Sequence, residues 1–271
     1  MTFATPTQRA GSAGLSPAYG AARARLGLVL TLFALAALGW GWTVREMRGM
    51  DAGPWTALGG LGWFLGVWVV MMAAMMLPAV APTVALYARM TRQRSPLRPL
   101  LFTGGYLVTW ALAGLVAFAL AKLVTWAAGN GVSWNHAGRT LAGVTVLAAA
   151  CYQLSPLKDA CLGKCRSPLG LLLGSWRDGP RGAVFMGAKN GAWCVGCCWA
   201  LMGALFALGI MSIEWMALVA GLITIEKTVP TPRLATYGTA ALLLVLGILL
   251  LADPSVIPGL TIPHGQPAGS M

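Results

Sequence analysis

Three cysteines fall within five residues in Cys194-Val195-Gly196-Cys197-Cys198. On an α-helix, positions i, i+3 and i+4 share a face, so the three thiols point one way. Followed by fours, that face reads Met186, Asn190, Cys194, Cys198 and Met202, a stripe of sulfur with one amide. Soft thiolate and thioether ligands select Cu(I) and other thiophilic metals. A disulfide within one helical turn fits poorly. Helical neighbours three or four apart hold their Cβ atoms about 5–6 Å apart, and a disulfide wants about 3.8 Å. The competing explanation is helix contact: Gly187, Gly191 and Gly196 would let a neighbouring helix approach closely, with cysteine as one more small residue.

A second group is Met71, Met72, Met75 and Met76 in Met71-Met72-Ala73-Ala74-Met75-Met76-Leu77-Pro78. Met71 pairs with Met75, and Met72 with Met76, each at i, i+4. Methionine commonly fills irregular cores. Pro78 and Pro82 would each remove an intrahelical hydrogen bond and kink the segment, and broken membrane helices often line binding sites. The methionines are therefore candidate ligands, or a pathway for a metal. A third group, Cys161 and Cys165, is expected in a cytoplasmic loop, where a reducing compartment disfavours a disulfide. Two thiols do not close a four-coordinate zinc site, so this pair reads as a transfer point. Cys151 reads as core, with a fourth thiol as its other possible role.

These residues need elements to position them, and the composition says which. The 271 residues are 58% hydrophobic and 10% charged, whereas a soluble domain is about a quarter charged. Barrel-type alternation is absent, which predicts an all-α polytopic membrane bundle. Seven spans near the roughly 20 residues needed to cross are expected: Leu26–Thr43, Leu61–Leu86, Leu100–Ala127, Arg139–Pro156, Gly187–Met211, Ile213–Ile225 and Ala235–Leu251. A flexible cytoplasmic tail would occupy residues 1–25, the helical domain 26–252 and an irregular tail 253–271. Span one reads as an anchor rather than a cleaved signal peptide, because a Trp-rich stretch follows it.

The net charge of +12 does not indicate nucleic acid. Arg9, Arg23 and Arg25 precede span one, and Arg89, Arg92, Arg94 and Arg98 lie between spans two and three. Lys158, Lys164, Arg166, Arg177, Arg181 and Lys189 lie between spans four and five, and Lys227 and Arg233 between six and seven. Only Arg45, Arg48 and Arg139 fall in the alternate loops. The positive-inside rule then gives a cytoplasmic N-terminus and an outside C-terminus. Trp40, Trp42, Trp55, Trp63, Trp126, Trp134 and Trp215 would form an outer aromatic belt. By the same topology, spans two and five run in opposite directions, with their sulfur clusters at similar depth. Lys189 and Asn190 at the start of span five, and Glu226 and Lys227 at the end of span six on the same side, read as an interfacial ion pair or snorkelling residues, or as a carboxylate gating cation or proton movement.

His136 and His264 are too few and too scattered for a His-based zinc or haem site. There is no Walker loop, dinucleotide fingerprint or serine-nucleophile elbow. The balance favours a protein that is not an enzyme.

The segments Met71–Pro78, Cys161–Gly170 and Cys194–Met202, followed by Gly209-Ile210-Met211 and Glu226-Lys227, resemble a bacterial family of predicted metal-binding integral membrane proteins. Gly105, Tyr106 and Trp110 also fit, and the likeness spans roughly residues 60–230. It implies metal binding, without naming the metal or a reaction. The expected function is binding of a soft metal, copper as Cu(I) first and another thiophilic metal otherwise, in transport, delivery or insertion. The lipid bilayer and a metal-accepting membrane or extracytoplasmic protein are the expected partners. Two rivals are a membrane thiol redox enzyme and a non-catalytic subunit of a larger membrane metalloenzyme.

Overall fold

The computed structural model describes residues 15–47, 59–91, 97–128, 139–209, 213–229 and 231–252. They form helices α1 (Leu15–Met47), α2 (Leu61–Thr91), α3 (Arg98–Ala128), α4 (Arg139–Gln153), α5 (Pro156–Arg166), α6 (Pro168–Leu173), α7 (Gly179–Gly209), α8 (Ile213–Thr228) and α9 (Pro232–Ala252). No strand occurs among the described residues. His136, His264, Arg9, Arg48, Arg92, Arg94, Trp55, Trp134 and the tail from residue 253 lie outside them. α1 begins at Leu15, inside the stretch assigned above to a tail.

Among the described residues, five helices are long and apolar enough to cross a membrane: Leu26–Glu46 of α1, Leu61–Thr91, Arg98–Ala127, Gly179–Leu208 and Arg233–Ala252. The other two expected spans are shorter. α8 has 16 residues and α4 has 15, whereas a hydrocarbon core of about 30 Å takes roughly 20 residues at 1.5 Å each. α4 reaches that length only together with α5, from which it is bent by 67°.

The chain directions follow from the contacts. Phe64 meets Phe118, and Trp68 Nε1 donates to the Trp110 carbonyl at 2.8 Å, so α2 and α3 are antiparallel. A Cβ on Gly187 would fall on the Phe102 carbonyl, and one on Gly191 would lie 3.0 Å from the Tyr106 carbonyl, so α3 and α7 run parallel. Gly143 faces Leu251 and Gly247 faces Leu147, so α4 and α9 are antiparallel. Trp68 lies tilted against Phe206, ring centroids 5.6 Å apart, while Val80 shares a cavity with Cys194. α2 and α7 are therefore antiparallel, as the topology requires.

Glycine controls the α3–α7 contact. A Cβ on Gly105 would fall on the Val184 carbonyl, as one on Gly187 would on Phe102. Small residues at such contacts let membrane helices approach without a large side chain between them. Gly187 and Gly191 thus have the helix-contact role weighed above. α2 stays helical through Pro78 and Pro82. Trp42, Trp63 and Trp126 are exposed, as an aromatic belt requires, but Trp215 is buried.

Candidate metal centre

α7 starts at Gly179-Pro180, where a positive φ of 85° suits glycine and proline is pre-set for the first turn. It thus begins before the expected Gly187 and carries Met186, Asn190, Cys194, Cys198 and Met202 inward, all of them buried. The Sγ atoms of Cys194, Cys197 and Cys198 lie within 4.8 Å of one another, and all three residues are buried. Cys197 Sγ is 3.3 Å from Cys198 Sγ and 3.2 Å from the Cys194 carbonyl.

The Cys161–Cys165 segment is not a loop. Ser155 accepts a hydrogen bond from the Lys158 backbone N–H, and Pro156 follows at the first helical position. This is a standard helix start, and α5 results. On a helix Cys161 and Cys165 share a face at i, i+4, and α5 turns that face to α7. Cys165 Sγ lies 3.7 Å from Cys197 Sγ. A Cβ on Gly196 would meet Cys161 Sγ at 2.9 Å, so the absent side chain at Gly196 makes room for that thiol. The pair expected to form a separate transfer point therefore adjoins the main cluster. Cys151, weighed as a fourth thiol, is exposed on α4, whereas Cys165 lies beside the cluster.

Two residues that spacing alone does not reveal complete the surroundings of Cys194. Tyr106 Oη of α3 is 3.1 Å from its sulfur, and Lys227 Nζ of α8 donates to it at 3.0 Å. Beside them is a cavity of about 10 Å³, lined by Ala79, Val80, Thr83, Tyr106, Cys165, Asn190, Cys194 and Lys227. That is room for about one water-sized occupant. Glu226 and Lys227 are not a mutual ion pair, and Glu226 is buried. Glu226 Oε2 accepts from Lys158 Nζ at 2.7 Å, and Lys227 turns to Cys194.

Met71, Met72, Met75 and Met76 are all buried. The α2 residues lining the cavity, however, are Ala79, Val80 and Thr83, one to two turns further along. Trp68 lies against Phe206 and Val80 lines the cavity with Cys194; counted back along the two opposed helices, Met76 would stand near the level of Cys198 and Met72 near that of Met202. Met202 also borders a separate apolar pocket of about 480 Å³ with Trp68, Trp110, Trp199 and Phe206.

The sulfur spacing suits one ion. Two thiolates on one metal at about 2.3 Å each can be at most about 4.6 Å apart. The Cys197–Cys198 and Cys165–Cys197 separations of 3.3 and 3.7 Å fall inside that limit, and the 4.8 Å bound on the three-thiol group is near it. The donor set is sulfur throughout, which favours a soft metal. A family model described as copper chaperone PpoB2 matches residues 65–250. The chain belongs to the PpoB2 copper chaperone family. The match runs from α2 into α9 and includes all six cysteines. A buried thiol cluster in a chain of this family fits copper binding. No curated protein and no solved structure matches the chain.

Proposed function

We propose that the protein holds Cu(I) on Cys194, Cys197 and Cys198, with Cys165 as a further ligand, and hands it to a metal-accepting membrane or extracytoplasmic protein. The observation that carries this reading is the group of three buried Sγ atoms within 4.8 Å. The PpoB2 description supports copper over other thiophilic metals. Cu(I) among several thiolates leaves a net negative charge, which is costly in a low-dielectric interior unless it is paired. The Lys227 ammonium, 3.0 Å from Cys194, is placed to offset it. Met72 and Met76 would offer thioethers at the level of Met202 and Cys198. As neutral and weaker donors, they suit hand-over more than storage. Met71 and Met75 belong to the same buried run, and Cys161 lies one helical turn from Cys165.

The test is elemental analysis of anaerobically purified protein beside a variant in which Cys194, Cys197 and Cys198 are serine. Copper bound by the first and lost from the second supports the reading. Zinc or no metal in the native chain contradicts it.

The same reading places the protein in a bacterial inner membrane with seven crossings, the N-terminus cytoplasmic and the C-terminus outside. The opposed α2–α3 and α4–α9 directions and the parallel α3–α7 pair accord with this arrangement. A reporter fused after Met271 should be active outside the cytoplasm, and one placed near Arg94 should be active inside. The reverse pattern would invert the sidedness of the hand-over.

A further inference from the structure

α5 is held at both ends by α8. Near its start, Lys158 is fully buried and its Nζ lies 2.7 Å from Glu226 Oε2, also buried. At its last residue, the Arg166 guanidinium donates to the Glu226 and Val229 carbonyls at the C-terminal end of α8. Glu226 is among the last four residues of α8, whose carbonyls lack a partner within the helix, and Val229 follows its end. Lys158, Cys161, Leu162 and Cys165 are spaced i, i+3, i+4 and i+7, so the anchored face of α5 is also its thiol face. Adjacent residues of α8 divide the work: Glu226 holds α5, while Lys227 reaches Cys194 on α7.

A buried ion pair is not an economical way to stabilise a helix contact. Well-packed apolar side chains would often do as well or better. What such a pair can add is a defined register, since both buried charges must stay paired at once. Besides the pair, α5 packs Cys161 against Gly196 of α7 and buries Leu162; the helix itself is short. It is 11 residues long and is bent 67° from α4 across a break at Leu154-Ser155. We infer that the Lys158–Glu226 pair and Arg166 form a latch that positions Cys165 against Cys197, so that α5 supplies a thiol that α7 alone lacks. Lys158, Glu226 and Arg166 are positioning residues and touch no metal. The contribution of Cys165 to copper rests on the reading above, but the latch itself does not require copper.

The test uses metal-free full-length chain in which Cys165 and Cys197 are the only cysteines, with disulfide formation under mild oxidant followed by loss of free thiols in the mass spectrum. With the latch intact, the 3.7 Å separation should allow rapid cross-linking. Lys158→Met with Glu226→Gln removes both charges together and avoids an orphaned one. Cross-linking should then slow at least about 10-fold, since misplacing reacting atoms by about 1 Å can cost 10²-fold. Lys158→Arg keeps the pair and should preserve the rate. Arg166→Gln is the second variant, for use if the double one does not fold, and should also slow the reaction.

In the native cysteine background, the double variant should lose one sulfur neighbour from bound copper. An unchanged cross-linking rate in a folded latch variant overturns the inference. If cross-linking responds to the latch but the native protein binds no copper, the latch stands and the copper reading falls.

Discussion

Replacement of Cys194, Cys197 and Cys198 by serine should reduce bound copper from about one ion per chain to background, with the helical fold retained. The three sulfurs are the buried, mutually close donors of the site. A serine hydroxyl is a hard, neutral donor that does not replace a thiolate for a soft metal. Serine is close to cysteine in size, so α7 keeps its contacts with α3. Thiol ligands must lose their protons to bind, so copper affinity of the native protein should weaken as pH falls. The variant should show no such dependence, having no site to protonate. Equilibrium dialysis against a Cu(I) chelator at several pH values measures both. Full copper stoichiometry in the variant would place the metal elsewhere.

The second large effect concerns the fold that carries the site. Gly187→Ala and Gly105→Ala should each destabilise the protein by about 3 kcal/mol, the upper end of the usual overpacking cost of 1–3 kcal/mol. In each case the added Cβ would land on a backbone carbonyl of the facing helix, Phe102 or Val184, and a carbonyl cannot rotate away as a side chain can. α3 and α7 must then separate, which draws Tyr106 from Cys194. Gly104→Ala and Gly203→Ala are the controls. Nothing lies within 4 Å of a Cβ at either position, and alanine favours a helix over glycine by about 1 kcal/mol. Thermal unfolding in detergent should therefore drop for the first pair and stay level or rise for the second. Equal behaviour of all four would mean that close α3–α7 contact does not hold the bundle.

The parts of this architecture that are local in sequence are legible in it. Cys194, Cys197 and Cys198 can be read as one face because helical spacing alone decides it. The glycines of α7 can be read as a contact because small residues recur along a membrane helix. The α5 segment is harder. Pro156, Pro168 and Gly163 punctuate it, and its basic residues suggest a loop. The Ser155-Pro156 start and the i, i+4 spacing of Cys161 and Cys165 were the available signals for a helix. Tyr106 and Lys227 lie outside what spacing can convey. They reach Cys194 from 88 and 33 residues away, and only the parallel run of α3 beside α7 and the return of α8 bring them there. Glu226 shows the same limit: its sequence neighbour Lys227 is the obvious partner, yet successive residues of a helix point in different directions. The methionines of α2 fall between these cases. They are buried, and their level is read from the opposed directions of α2 and α7, while the cavity beside Cys194 is lined by Ala79, Val80 and Thr83 instead.

The most direct test of copper on the α7 thiols is X-ray absorption at the copper edge of anaerobically loaded, full-length protein. The account predicts copper as Cu(I) with sulfur-only nearest neighbours, three from Cys194, Cys197 and Cys198 and a fourth where Cys165 joins them. Removing the three α7 cysteines should abolish that signal. Nitrogen or oxygen neighbours, or a sulfur environment unchanged in the serine variant, would contradict it.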